Sequence, residues 1–352
     1  ISIKREENIF SVKGEIDNKK FDLDSLKSNI FIKNLLGNLK PEEFTFSSKN
    51  SFSFNLSKKF ELTNLEIISK VKLIEFKVLN NLDLKSFFPQ IKEKITFLNN
   101  DLKNKYKNNE LSVNGEGKIL FQDNADKISY KIKKIKNDLK FETSVKIINN
   151  PLNIDLLNYS KEGDFLINFK GTKKNNEISL DLFSLKENDN IFNIKDLEFT
   201  KKKQIKKIGK LNLNYFDDDS QNNSISLIKK DKGYILEGSY LNADNLVENI
   251  FKDKGENSNI FNIDTVLEVN IDKVGIDKNT KLSNLNGNLV FKNQNIIKGN
   301  LEGFFSGDEK LKLTVNTSAN NKITTLFLDR AEPIVKKYKF IKGFEGGKLD
   351  YY

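Results

Sequence analysis

Between Phe261 and Ile271 the side chains divide by parity. Phe261, Ile263, Thr265, Leu267, Val269 and Ile271 fall on one side, with Asn262, Asp264, Glu268 and Asn270 on the other. Successive side chains of a β-strand point to opposite faces, so this alternation predicts a strand with one apolar and one hydrated face. At about 3.3 Å per residue it would run roughly 36 Å. A chain made of such segments folds into a one-sided sheet that has to cover its apolar face in some way.

The same alternation recurs at Phe44, Phe46, Phe52, Phe54 and Leu56, and at Leu111 and Val113. It returns at Ile128, Tyr130 and Ile132, and at Leu139, Phe141, Val145 and Ile147. Later runs are Phe165, Ile167, Phe169; Ile178, Leu180, Leu182; Leu211, Leu213, Tyr215; and Leu311, Leu313, Val315. Polar clusters such as Lys173-Lys174-Asn175-Asn176 and Asp217-Asp218-Asp219-Ser220 separate the runs, as turns do. Runs about 10 to 20 residues apart fit an antiparallel meander joined by hairpins.

Helical spacing is scarce. Asp24 to Leu36, Asp244 to Phe251 and Ala331 to Phe340 carry short amphipathic patterns, and a fourth is expected between Leu82 and Tyr106, interrupted by Pro89. Val12-Lys13-Gly14-Glu15 before Asp24 is echoed by Leu236-Glu237-Gly238-Ser239 before Asp244. Each reads as a strand ending at glycine, followed by a helix capped by the Asp.

With 352 residues the chain is long enough for two compact domains, but 37% hydrophobic content and a mean hydropathy of -0.53 are low for two filled cores, which favours an elongated form. The apolar face is expected to be rich in rings without polar handles, since Phe numbers 28 against 9 Tyr and no Trp. Lys and Arg number 59 against 49 acids, for a net charge of +10, with both signs interspersed along the strands. That reads as a solvated outer face, and because Lys, Asn, Ile and Phe have AT-rich codons the lysine excess is discounted as a sign of function.

The chain lacks Cys, His and Met. Disulfides and thiolate sites are excluded, as are the commonest general base and the commonest zinc ligand. The missing initiator leads us to expect a segment of a longer polypeptide. No stretch approaches about 18 consecutive apolar residues, and no charged-then-apolar leader opens the sequence.

The motifs carry little chemistry. Lys201-Lys202-Lys203 with Lys206-Lys207 reads as a solvated turn or strand edge. Asp217-Asp218-Asp219 lacks EF-hand spacing and reads as a hairpin tip. Gly115-Glu116-Gly117 lacks the rest of a dinucleotide fingerprint and precedes a strand, which points to a β-bulge or turn. Gly346-Gly347 would permit positive φ between the last helix and the last strand. No pair of carboxylates stands in a setting that would raise one pKa, so no catalytic residue, metal or cofactor is expected.

Several segments of the last third resemble the bacterial AsmA-like family, in its YhdP-like and TamB-like branch. They are Tyr234 to Phe251, Phe261 to Val274, Leu285-Asn286-Gly287-Asn288-Leu289, Lys298-Gly299-Asn300-Leu301-Glu302-Gly303 and Leu311 to Val315. The ending, from Leu328-Asp329-Arg330-Ala331 through Phe344-Glu345-Gly346-Gly347-Lys348-Leu349, belongs with them, although Glu332 and Pro333 depart from the family pattern. Pro151-Leu152-Asn153-Ile154 and Ile194 to Phe199 are similar to family strands more loosely.

The resemblance implies a mostly β protein whose elongated, curved antiparallel sheet forms a hydrophobic groove with a few short helices. It further implies a periplasmic bridge, anchored in the inner membrane by sequence outside this segment, that carries phospholipid toward the outer membrane. The expected partners are phospholipid acyl chains, the inner membrane and outer-membrane components, with no nucleic acid. Candidate groove residues are Phe261, Ile263, Leu267, Val269, Ile271, Leu289, Phe291, Leu311, Leu313, Val315, Leu211 and Leu213. Segments 1–110, 111–233 and 234–352 are read as parts of one continuous unit. Periodicity alone more often signals a sealed sandwich or barrel core, and a factor that templates outer-membrane strands on the sheet edge is a third reading.

Overall fold

The computed structural model describes residues 1–24, 41–80, 84–175, 177–201, 204–246, 264–292, 295–305, 308–318, 321–332, 334–335 and 347–351. The expected mostly β sheet is what the chain forms: all strands except two short ones belong to one large mixed sheet, and helix is nearly absent among the described residues. By its contacts the chain divides into two units, Ile1–Leu152 with Gly163–Asp181, and Asn153–Glu162 with Leu182–Tyr352. The expected segment boundaries at 110/111 and 233/234 fall at or beside hairpin turns, at Asn108-Asn109 and Asp231-Lys232.

In the first unit the strands are β1 (Ser2–Glu6), β2 (Ile9–Asp24), β3 (Pro41–Ser57), β4 (Leu62–Leu79), β5 (Lys94–Lys107), β6 (Glu110–Leu120), β7 (Asp126–Ile135) and β8 (Asp138–Ile147). Each pairs antiparallel with the next. The chain leaves this unit for β9 (Asn153–Ile154), a 3-10 turn and β10 (Tyr159–Ser160), then returns as β11 (Phe165–Lys174), which pairs antiparallel with β8. Strand β12 (Glu177–Glu187) passes from the first unit into the second. Asn108 and Asn109 both have positive φ, 51° and 61°, which is the turn geometry that matches strand twist in a two-residue hairpin.

The second unit continues with β13 (Asn190–Phe199), β14 (Ile205–Phe216), β15 (Asn222–Lys230) and β16 (Gly233–Asn242), successive antiparallel partners. Strand β17 (Thr265–Gly275) lies parallel to β16. The antiparallel order then resumes through β18 (Lys281–Lys292), β19 (Asn295–Phe304), β20 (Lys310–Ser318), β21 (Asn321–Leu328) and β22 (Leu349–Tyr351).

Bulges shape the first unit. Between the pairs Asn18/Ser48 and Phe21/Phe46, β2 has two residues opposite one of β3. At the same level β4 carries Ile74 as an extra residue relative to β3, and β5 carries Asn99 and Asn100 opposite Gly117 of β6. The bulge expected near Gly115-Glu116-Gly117 is therefore present, with the extra residues on the facing strand. A Cβ at Gly117 would lie 2.5 Å from the Asn100 side chain and 2.7 Å from the Asn99 carbonyl, so glycine leaves the room the bulge needs. Bulges bend a strand and sharpen its twist.

Two helix-related expectations need correction. The segment expected as a helix between Leu82 and Tyr106 is a turn-rich connection from Leu84 to Glu93 followed by β5, with Pro89 in a turn. Gly14 and Gly238 do not end strands: β2 and β16 run on past them. Each glycine instead makes room for a neighbouring strand, since a Cβ would lie 2.5 Å from the Phe52 ring at Gly14 and 2.2 Å from the Ser224 carbonyl at Gly238. At the start of the Asp244–Leu246 helical turn, Asn242 Oδ1 accepts from the Asp244 N–H at 3.2 Å.

A helical turn at Ala331–Val335 is present, closed by bonds from the Ile334 and Val335 N–H groups to the Ala331 carbonyl. Gly347 has the expected positive φ, 90°. Residues after Asp24 in the first expected helix, after Leu246 in the second and after Val335 in the third lie outside the described residues, as do Phe261, Ile263 and Gly346.

Candidate functional site

Strand register gathers ten of the twelve groove candidates onto one face of the second unit. Leu211 stands opposite Leu227, which faces Leu236, which faces Val269; beyond β18 the row resumes as Leu301 opposite Leu313 and Leu313 opposite Leu326. A neighbouring row holds Leu213, Ile225, Gly238 and Ile271, and a third holds Tyr234, Leu267, Leu289, Gly299 and Val315. Leu311 faces Leu328, and Phe291 faces Thr265 and Ile296. The other two candidates, Phe261 and Ile263, lie outside the described residues.

This face is packed tightly. Leu267, Val269, Ile271, Leu289, Leu311 and Val315 are each 9% exposed or less. All but Val315 belong to a cluster that also takes in Ala331, Ile334 and Val335 from the turn after β21 and, at its margin, Leu246 from the turn after β16. Leu211, Leu213, Phe291 and Leu313 are half-buried. The second unit thus has its own cover over part of the face, and six of the candidate side chains are sealed by their neighbours.

In the first unit the corresponding face is more open. Phe10, Val12, Phe46, Phe52, Phe54, Leu56, Ile67, Val71, Tyr106, Val113, Ile132 and Phe141 are all only half-buried. Full burial is concentrated around Leu73, Phe76 and Val78, with Phe44, Ile95, Phe97 and Leu102 at its margin, and around Ile147 and Phe165. Rings from five strands form an aromatic row on this face: Phe21 to Phe46 at 5.8 Å, Phe46 to Phe44 at 4.8 Å, Phe44 to Phe76 at 5.4 Å, Phe76 to Phe97 at 5.9 Å and, across β6, Phe97 to Tyr130 at 6.4 Å between centroids. These separations are those of offset and edge-to-face ring pairs. Burial against its neighbours pushes the Tyr130 phenol up to about 12, so it stays neutral.

A polar seam, which sequence reading missed, interrupts the face beside the aromatic row. Asn18 and Asn50 both donate to the Ser48 hydroxyl, at 3.1 and 2.9 Å, and the register extends the seam from Asn50 to Ser69 and Asn104. On its far side Phe52 and Phe54 stack at 6.1 Å. The only advance signal was a break in alternation, with Ser48 and Asn50 between Phe46 and Phe52.

Other polar clusters are structural. Asp217, at the expected hairpin tip between β14 and β15, is 5% exposed. Its carboxylate accepts from the Asp219 and Gln221 N–H groups at 3.0 and 2.8 Å, and from the Asn223 and Asn242 side-chain amides at 3.1 and 2.7 Å. Asp218 accepts from Ser160, and Asp219 pairs with Lys278 at 2.7 Å. Buried Tyr159 donates to Glu187, and desolvation, reinforced by that contact, drives the phenol's pKa far upward. Among the described residues no group of three or more acidic side chains is placed to hold a metal ion, and no helix is long and apolar enough to cross a membrane. Lys206 and Lys207 both pair with Glu198 across the β13–β14 hairpin, as in a solvated turn.

Compared with models of known protein families, with characterised proteins and with solved structures, the chain has no match.

Proposed function

We propose that the chain is a non-enzymatic carrier of phospholipid, in which the apolar face of the sheet shelters acyl chains from water. The observation that carries this reading is the half-buried face of the first unit, where Phe44, Phe46 and Phe97 of the ring row and the Phe52–Phe54 pair present rings without polar handles. Each methylene sheltered contributes about 0.8 kcal/mol, so a sixteen-carbon chain lying on such a surface gains on the order of 10 kcal/mol. Such a contact is non-directional, which lets a chain slide from ring to ring without a single deep trap. The setting that fits is the one implied by the AsmA-like resemblance, a periplasmic bridge anchored in the inner membrane and reaching toward the outer one.

The six sealed side chains of the second unit favour a second reading there, a closed structural module. One experiment separates the two. A photoreactive side chain is placed at Phe54 on the apolar face of the first unit, at Ser53 on its opposite face and at Leu313 in the second unit. Irradiation in the presence of phospholipid should give lipid adducts at Phe54 and none at Ser53. Adducts to protein alone at Phe54 defeat the carrier reading, and lipid at Leu313 would extend the path to the second unit.

A further inference from the structure

On the opposite, hydrated face of the first unit, charge is arranged in an unusual way. Lysines there ordinarily meet acids: Lys77 pairs with Glu43 at 2.7 Å, Lys105 and Lys107 with Glu66 at 2.9 and 3.3 Å, Lys133 with Glu110 at 2.8 Å and Lys146 with Asp164 at 2.6 Å. Lysines also stand opposite lysines at Lys118, Lys127 and Lys146 and at Lys133 and Lys140, but each of those rows contains a lysine paired with an acid, Lys146 or Lys133; in one row no member is paired. Asp17 of β2 stands opposite Lys49 of β3, but Lys49 on its other side stands directly opposite Lys70 of β4, and Lys70 directly opposite Lys103 of β5. Directly opposed residues have Cβ atoms about 5 Å apart, where like charges oppose folding. None of the three has an ion pair among the described residues. All three strands are flanked on both sides, so these lysines do not guard an open sheet edge.

The row borders a concavity of 390 Å³ lined by Asp17, Asn18, Lys19, Ser47, Ser48, Lys49, Lys70 and Lys72. Four lysines and one aspartate give this lining a net charge of +3. The concavity lies along the line of bulges, where β2 has Lys19 and Lys20 opposite Ser47 and β4 has Ile74 as an extra residue. Bulges recur beside functional sites because they re-aim side chains. Four lysines beside one aspartate at a bulged hollow, with the Ser47 hydroxyl on the same face, make a setting for a multiply charged oxyanion.

We propose that this hollow binds a phosphate-bearing anion, on the face opposite the one assigned to acyl chains. The ligand replaces the missing carboxylates: its oxygens accept from the lysine ammonium groups and relieve the repulsion along the Lys49, Lys70 and Lys103 row. The chemistry is the same for a free phosphorylated metabolite and for the headgroup of an anionic lipid.

The test uses the full chain, with inorganic pyrophosphate and phosphatidylglycerol vesicles as separate probes, followed by calorimetry and thermal unfolding. Lys70→Glu is compared with Lys136→Glu/Lys232→Glu, a doubly charge-reversed control at two hairpin turns. Pyrophosphate should raise the melting temperature of the wild type in a concentration-dependent way. Lys70→Glu should weaken binding more than tenfold while melting at or above the wild-type temperature, because it turns two like-charge contacts into opposite-charge ones. The control should bind within twofold of wild type. Binding of pyrophosphate points to a free ligand; vesicle binding alone, lost in Lys70→Glu, points to a headgroup. The proposal is overturned if neither probe binds, if the control loses as much affinity as Lys70→Glu, or if binding is seen only with a single-stranded oligonucleotide.

Discussion

Replacing Asp217 by alanine tests whether the loop between β14 and β15 is a solvent-exposed tip or a structural hub. The carboxylate takes four hydrogen bonds from groups of different exposure. The Asp219 and Gln221 N–H groups lie toward solvent and recover with water once the carboxylate is gone. The Asn223 amide keeps a second acceptor, the Gln221 carbonyl at 2.9 Å, while the Asn242 amide, in a residue 6% exposed, loses a charged partner at 2.7 Å. Losing charge-assisted bonds to two buried amides at about 1.5–3 kcal/mol each, partly offset by no longer burying a carboxylate, leaves a net loss of about 4 kcal/mol. For a unit of this size about 2–4 °C is lost per kcal/mol, so the melting transition should fall by roughly 8–16 °C. Asp231→Ala, in the exposed turn between β15 and β16, should stay within about 0.5 kcal/mol of wild type. Thermal and urea unfolding followed by circular dichroism measure both. Equal stabilities for the two variants would refute the hub.

Gly115→Ala should destabilise by about 1–3 kcal/mol, because the new Cβ falls 2.4 Å from the Tyr130 ring; in a Tyr130→Ala background the same change should be close to neutral, and additive losses in a double-mutant cycle would sink the explanation. Ile271→Ala, at a site 1% exposed, should cost about 2–5 kcal/mol in urea unfolding, and Phe54→Ala on the half-buried face distinctly less; the reverse order would contradict the difference in cover between the two faces. The Asp329 carboxyl is held below its usual range, first by the Lys310 backbone N–H at 3.0 Å and then by Lys348 at 3.1 Å. Its folded pKa is the lower one, so its contribution is fully present above about pH 4 and is lost as pH falls through the folded value. The stability difference between wild type and Asp329→Asn should therefore shrink below about pH 4, and a constant difference across that window would contradict the assignment.

Alternation made the strands legible wherever one face is buried, because a slip of one residue would turn every side chain over. That is why Leu267 falls in a lateral row with Leu289, Val269 in one with Leu211 and Leu313, and Ile271 in one with Leu213. It failed at β5 for a physical reason. Ile95 and Phe97 share the apolar face with Asn100, Leu102 and Tyr106, but the extra residues at Asn99-Asn100 shift the parity from odd to even. Across that shift Phe97, Leu102 and Tyr106 take on spacings that resemble a helix, and a helix is what the segment was expected to form. The same change of parity separates Leu73 from Phe76 in β4. The parallel pairing of β16 with β17 has no periodic signature at all, since parity is the same for either direction. The Lys49, Lys70 and Lys103 row was equally silent, because its members are neighbours across strands and far apart along the chain.

Parity also says nothing about cover, and cover is what the functional reading depends on. Val269 and Phe54 carry the same signal, an apolar residue between polar ones, yet Val269 is 5% exposed and Phe54 half-buried. The difference arises from elements remote in sequence: Ala331, Ile334 and Val335 arrive over the face of the second unit from beyond β21. Among the described residues the margin of the first unit's face is held by rings stacked side by side, which shield one another laterally and leave their outer surfaces to whatever lies above. A face that shields itself only sideways keeps part of its transfer free energy unspent, about 25 cal/mol for each Å² still wet. In the proposed carrier role an acyl chain would take up that remainder in the first unit, whereas over Ile271 the protein's own packing already does so.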